Sequence, residues 1–213
     1  MQQALVIQSQ YLLRWIKFKI MKKNSFAMAI IGISFAIALS AAAQKDSSGI
    51  YKTTNDFITK KLSLAINCTT EKHKIKINDI FNQDNFTVVH DGKSYVFKKS
   101  DVYGYKLCSG ATFRLYENKN YLVMNPNEAI LLYKVEILQT KAQSPKAYSY
   151  YFSKDAASGL QKLTKENLKA AFPDNHKFHD DLDANFKSDA ELTSYDSFHK
   201  MYKVNHILVM SEK

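Results

Sequence analysis

The chain has 213 residues and a formal net charge of +10 at pH 7. Five of its 30 basic residues and none of its 20 acidic residues precede Gln44, so the remainder carries a net charge of about +5, with both signs interspersed. This balance disfavours nucleic-acid binding. The roughly 170 residues that follow are enough for one domain with its own hydrophobic core.

A cleavable export signal is predicted near the N-terminus. Lys22 and Lys23 precede an apolar run that starts at Phe26, and the run is followed by small residues that favour cleavage after Ala43. The run is about 14 residues long, shorter than the roughly 20 that a membrane-spanning helix needs. We therefore expect residues 1–43 to contact the membrane only before cleavage.

Residues 1–20 form an unusual extension in front of that signal. Met21 begins a complete signal-peptide pattern, so we predict that translation starts there. The alternative is that residues 11–20 form a short basic amphipathic helix on the inner leaflet. Either reading leaves residues 44–213 as the exported domain, in the periplasm or outside the cell.

The first part of this domain, residues 44–160, has mainly strand periodicity. A short helix is predicted over 54–61 with Thr53 or Thr54 as its cap. Asp91-Gly92 and Ser109-Gly110 are typical hairpin turns between alternating runs. We predict six to eight antiparallel strands in a meander, from runs at 73–77, 86–90, 93–98, 103–108, 111–116, 121–124, 128–138 and 146–153.

Residues 161–213 have mainly helical periodicity, and about three helices are predicted. Thr164 caps the first, which Pro173 ends, and Asp174 starts the second. A capping box at Ser188 and Glu191 opens the third, with an apolar stripe at Leu192, Tyr195, Phe198 and Tyr202. Strands followed by helices predict an α+β fold in which the helices pack on one face of the antiparallel sheet.

The two cysteines, Cys68 and Cys108, are predicted to form a disulfide. An oxidising compartment permits one bridge, which would close a loop of about 40 residues. The alternative is a pair of buried free thiols. A catalytic thiol is disfavoured because no histidine or C-x-x-C pattern accompanies either cysteine.

One helical segment carries a candidate metal site. His176, His179, Asp180 and Asp183 fall on one arc of the second predicted helix, where imidazole and carboxylate groups could hold zinc or a similar ion. The competing interpretation is the solvated face of a surface helix, because polar residues opposite an apolar stripe are ordinary there. On this second interpretation the protein has no metal and no cofactor.

Two further histidines, His199 and His206, lie near the third predicted helix. Either could act as a general base, but no motif supplies a serine or cysteine nucleophile, so a packing or capping role is the simpler interpretation. The strand segments are also rich in Tyr and Phe. An aromatic sheet face could stack sugar rings or contact a partner, although aromatics favour strands for packing reasons alone.

Several short segments of the chain together carry a resemblance to a known family. They are Ser48-Gly49-Ile50-Tyr51 with Asp56-Phe57, the block from Lys99 to Tyr105, Ala171-Phe172-Pro173-Asp174-Asn175, His199-Lys200 and Val204-Asn205. In these segments the chain resembles an uncharacterised family of small exported proteins of Bacteroidota-type bacteria. The resemblance covers nearly all of residues 44–213 and implies export, but it implies no activity, cofactor or catalytic residue.

These observations predict an exported, non-enzymatic binding domain that contacts an envelope protein or a glycan. The competing hypothesis is an envelope hydrolase or metal-dependent enzyme that uses the His176, His179 and Asp183 arc. The sequence does not identify the ligand or the oligomeric state.

Overall fold

An antiparallel sheet organises the computed structural model, which describes residues 47–71, 74–77, 83–137 and 146–212. The described residues belong to one compact unit, Asp46–Lys213. The predicted leader lies outside the described residues. The strands are β1 (Ser47–Tyr51), β2 (Ser63–Asn67), β3 (Lys74–Ile77), β4 (Asn85–His90), β5 (Lys93–Lys98), β6 (Gly104–Lys106), β7 (Thr112–Tyr116), β8 (Lys119–Val123), β9 (Leu131–Ile137), β10 (Ala147–Ser153), β11 (Gln161–Lys162), β12 (Tyr195–Asp196) and β13 (Met201–Tyr202).

Four α-helices and two 3₁₀ turns accompany these strands in the described part of the chain. The helices are α1 (Thr54–Ile58), α2 (Lys165–Ala171), α3 (His176–Asn185) and α4 (Lys203–Ser211), and the 3₁₀ turns are Lys99–Asp101 and Asp189–Thr193. Mixed sheet and C-terminal helices confirm the predicted α+β class. None of the helices described is long and apolar enough to cross a membrane.

The main sheet has eight strands in the order β11-β10-β9-β8-β7-β6-β1-β2. Strands β6 to β11 form an uninterrupted antiparallel meander, as the hairpin signals predict. Strands β3, β4 and β5 leave this meander and form a separate three-stranded sheet. Its β4–β5 turn uses Asp91 and Gly92, both with positive φ, as an Asp-Gly hairpin turn requires.

The C-terminal helices and the three-stranded sheet pack on the same face of the main sheet. Cross-strand registers place Ile50, Tyr105, Leu132 and Phe152 on that face. Leu132 and Phe152 pack in a core with the C-terminal helices, whereas Ile50 and Tyr105 pack with the three-stranded sheet. The opposite face has a core of its own around Tyr121 and Tyr133, which α1 covers through Phe57. The first part of strand β9 is therefore buried on both sides, with Leu131, Leu132 and Tyr133 at most 2% exposed.

The predicted disulfide is present between Cys68 and Cys108, whose Cα atoms are 5.6 Å apart. Cys68 follows β2 and Cys108 follows β6, the strands that flank β1 in the sheet. The bridge thus fixes the edge strand β2 to the interior of the sheet across its neighbour.

The prediction of a third helix starting at Ser188 is wrong. The chain forms the 3₁₀ turn Asp189–Thr193, then a hairpin of β12 and β13, and only then α4. Two observations explain the difference. The Asp196 carboxylate bonds to backbone N–H groups of the next turn, which competes with helix formation. Phe198, part of the predicted apolar stripe, is 86% exposed, so it does not contribute to a buried face.

Candidate metal centre

Three side chains with metal-ligand atoms converge at the β12–β13 hairpin. They are Asp196, His199 and His206, and their ligand atoms all lie within 4.8 Å of one another. In the part of the chain that the structure describes, no other group of three or more His, Cys, Asp or Glu side chains converges in this way. Two imidazoles and a carboxylate form a donor set that suits zinc, copper, iron or nickel.

Asp196 organises the hairpin loop and one of the two imidazoles. Its Oδ1 accepts hydrogen bonds from the backbone N–H of Phe198 at 3.0 Å and of His199 at 3.1 Å. Its Oδ2 accepts a hydrogen bond of 2.7 Å from Nδ1 of His199. Because an ionised carboxylate only accepts, Nδ1 of His199 carries a proton in this hydrogen bond. Lys200, with φ of 55°, closes the loop in the left-handed region.

The third side chain comes from α4. His206 Nδ1 lies 3.7 Å from Asp196 Oδ2, and its ring stacks on that of His199 with centroids 3.8 Å apart and an interplanar angle of 25°. Asn205, the residue before His206, is fully buried and bonds to the backbone of Ile130 in the sheet. His206 is therefore presented by a helix that is fixed to the sheet.

The electrostatics of the cluster favour a cation. The hydrogen bond that His199 donates, with the backbone bonds to the same carboxylate, holds the pKa of Asp196 at about 2. Asp196 is therefore ionised at neutral pH and faces two imidazoles. A divalent ion that binds both Nδ1 of His199 and the Asp196 carboxylate would displace the proton between them and offset the carboxylate charge.

Solvent reaches the cluster. The side chain of His199 is 42% exposed, against 26% for His206 and 23% for Asp196. Phe198 extends from the loop beside them, with its ring 4.8 Å from that of His199. An ion could enter and leave without any rearrangement of the core, and the protein ligands would leave at least one coordination position open.

The arc predicted on α3 is placed differently. His179 Nε2 lies 2.9 Å from the carbonyl oxygen of Phe172 and 3.1 Å from that of Lys169, so this imidazole caps the C-terminus of α2. Asp183 pairs with Lys169. His176 and Asp180 are exposed, and the four side chains do not converge as a ligand group. A metal site on this arc stays a prediction from sequence.

The aromatic side chains of the sheet are used mainly for packing. Tyr105, Tyr121 and Tyr133 are at most 5% exposed, and Phe152 is fully buried. Tyr148, at 36% exposed, is covered in part by Lys134, whose Nζ lies 4.5 Å from the ring centroid. A glycan-stacking role for the sheet therefore has little aromatic surface to use.

Sequence reasoning considered His199 and His206 singly and overlooked Asp196. The spacing of Asp196 and His199 was the available signal, because residues three positions apart approach one another on a helix or around a tight turn. The approach of His206 depends on the packing of α4 and has no local signal. Comparison of the chain with protein-family models, with curated proteins and with solved structures found no match. Function is therefore inferred from the geometry.

Proposed function

We propose that the protein is an exported domain that binds a divalent transition-metal ion through Asp196, His199 and His206. The convergence of their ligand atoms within 4.8 Å carries this proposal. Binding, rather than catalysis, was the function class that the sequence favoured, and the metal ion now takes the place of an envelope protein or glycan as the first ligand to test.

Export is supported by two independent features. The sequence of residues 21–43 has the pattern of a cleavable signal peptide. The Cys68–Cys108 disulfide belongs to a class of bond that persists in oxidising compartments and is rare in the cytosol. A metal site that is open to solvent would sample the ions of the periplasm or the cell exterior.

A metal-dependent hydrolase is the second candidate. Catalytic zinc sites use three protein ligands and keep a fourth position for water. Because the side chain of His199 is 42% exposed, water could reach such a position here. Within the described residues, neither His199 nor His206 is hydrogen-bonded to a serine, threonine or cysteine, so a metal-bound water would have to act as the nucleophile.

Titration calorimetry on chelator-treated protein tests the proposal. We expect one equivalent of Zn(II) or Co(II) to bind, and His199→Ala or His206→Ala to weaken binding by at least about 10- to 100-fold, the range known for the loss of outer-shell partners alone. His176→Ala is the matched control, an exposed histidine on α3, and should bind as the parent does. Unchanged binding in His199→Ala and His206→Ala would overturn the proposal, and a loss in His176→Ala would restore the α3 arc.

The same variants separate binding from hydrolysis. If the metal-loaded protein turns over an activated ester or phosphoester and His199→Ala abolishes this activity while remaining folded, the hydrolase candidate is supported. Stoichiometric metal uptake without turnover favours a protein that stores, carries or senses the ion.

A further inference from the structure

We infer that the thioether of Met201 is a further ligand of this site and that the site therefore also takes copper in its cuprous state, with Met201 in place of Asp196. The inference rests on the proposed function, since it names the ion that the Asp196, His199 and His206 cluster takes. It uses the register of the hairpin, which pairs a methionine with Asp196, one of the three ligands.

The hairpin register aligns Met201 with Asp196. The two are direct partners across β12 and β13, and Tyr195 and Tyr202 are the next pair. Directly opposite residues in an antiparallel pair point to the same face, with Cβ atoms about 4.5 to 5.5 Å apart. The rings of Tyr195 and Tyr202 contact each other at 5.4 Å on one face, so Asp196 and Met201 share the other face.

Met201 can extend to the ligand atoms from that position. A methionine side chain has three rotatable bonds and no branch, so its sulfur can adapt to a nearby ion. Met201 is partly exposed, as Asp196 and His206 are, so solvent and dissolved ions can reach its side chain.

The donor set then distinguishes between ions. Thioether sulfur is a soft ligand that selects Cu(I), whereas carboxylate oxygen is a hard ligand that zinc accepts and Cu(I) does not favour. The two imidazoles can bind either Cu(I) or Zn(II). Cu(I) would therefore use His199, His206 and Met201, and Zn(II) would use His199, His206 and Asp196.

Two substitutions separate these sets. Met201→Leu keeps the size and apolar character of the side chain but removes the sulfur. Asp196→Asn keeps an acceptor oxygen for the loop N–H groups but removes the charged ligand. Met210→Leu is the matched control, because Met210 is an exposed methionine on α4, one turn after His206.

The experiment measures Cu(I) affinity by competition with bicinchoninate under anaerobic, reducing conditions, and Zn(II) affinity by calorimetry. We expect Met201→Leu to weaken Cu(I) binding about 10-fold or more with little change for Zn(II), and Asp196→Asn to do the reverse. X-ray absorption should show a Cu–S contribution that Met201→Leu removes.

Three outcomes would overturn the inference or its premise. Cu(I) affinity that is unchanged in Met201→Leu, with Zn(II) still bound through the histidines, overturns the inference and leaves the proposed function intact. A loss confined to Met210→Leu overturns the assignment to Met201. A parent protein that binds neither ion overturns the proposed function as well.

Discussion

The side chain of Asn205 acts as a strand partner for Ile130. Its Oδ1 accepts from the Ile130 N–H at 2.7 Å, and its Nδ2 donates to the Ile130 carbonyl at 2.9 Å, so one amide satisfies both backbone groups. The two residues are 75 positions apart, and both are buried. This pairing fixes α4 to the start of β9 and thereby fixes His206, the next residue.

Replacement of Asn205 by leucine should destabilise the fold and weaken the metal site together. The buried N–H of Ile130 would lose its partner, a change that lowers the free energy of unfolding by about 1 to 3 kcal/mol. Urea denaturation would measure this loss, and Zn(II) titration of the folded fraction would measure the effect on His206. Asn185→Leu, an exposed asparagine on α3, should change neither quantity appreciably. Equal stability of Asn205→Leu and the parent would contradict this role.

Arg114 should be required for the stability of the loop that follows β10. Its guanidinium is buried and donates to Tyr133 Oη at 3.0 Å and to the Ser158 carbonyl at 2.9 Å, while the ring of Tyr103 lies 5.0 Å away. Within the described residues it has no carboxylate partner, so neutral oxygens and aromatic rings compensate its charge. Arg114→Lys keeps the charge but loses the fork of donors.

We therefore expect Arg114→Lys to lower the free energy of unfolding by about 1 to 3 kcal/mol, because the Ser158 carbonyl loses its donor. Hydrogen exchange in residues 154–159 should also become faster. Lys162→Arg, on the exposed strand β11, is the control, because it also replaces one basic residue by the other but at an exposed position. An unchanged exchange rate in the loop would show that Arg114 does not hold it.

Local signals predicted the parts of the fold that local chemistry determines. Thr53, one of the two predicted caps of α1, forms a capping box with Asp56, and Asp91-Gly92 forms the predicted hairpin. Separation of β3, β4 and β5 into their own sheet was not predictable from periodicity, because a strand pattern does not state which neighbour it pairs with. Strands β1 and β2 were missed as well. Strand β1 pairs with β6, which is distant along the chain, and β2 pairs with β1 across the short helix α1.

The candidate site depended on an element whose predicted structure, a third helix starting at Ser188, was wrong. Read as a helix, the segment that begins at Ser188 placed Tyr195 and Phe198 in a buried stripe and gave Asp196 no role. In the hairpin, Asp196 becomes the centre of the loop, and His206 approaches it from α4. The side-chain to backbone bonds of Asp196 outweigh the helical pattern, and that competition is not visible in spacing alone.

Removal of the disulfide should destabilise the domain, because the unfolded chain gains conformational entropy when the bridge is absent. The bridge joins residues 40 positions apart, and a loop of that size corresponds to about 4 kcal/mol on the chain-entropy estimate. We expect the double variant Cys68→Ser, Cys108→Ser to unfold at a lower urea concentration than the parent, with a free energy of unfolding that is lower by this order of magnitude. A reductant should shift the parent by a similar amount and leave the variant unchanged, and a shift in both would point to another effect of the reductant.

Asp155 should make the stability of the β10–β11 loop depend on pH. Its Oδ1 accepts from the Ser158 hydroxyl at 2.8 Å, the Ser158 N–H at 2.7 Å and the Ala157 N–H at 2.8 Å, and these bonds lower the pKa of Asp155 below its usual value. A carboxyl group whose pKa is lower in the folded state stabilises the fold above its unfolded pKa, near 3.8, and this contribution is lost as pH falls through the folded pKa.

Asp155→Asn removes the titration but keeps an acceptor oxygen in the loop. The parent should therefore melt at a higher temperature than the variant at neutral pH, and the difference should shrink progressively below the unfolded pKa of Asp155. The expected difference is small, because the carboxylate is exposed and water screens its interactions. Thermal melts of both proteins from neutral to acidic pH measure it. A difference that stayed constant over this range would mean that the loop bonds do not distinguish the charged from the neutral acid.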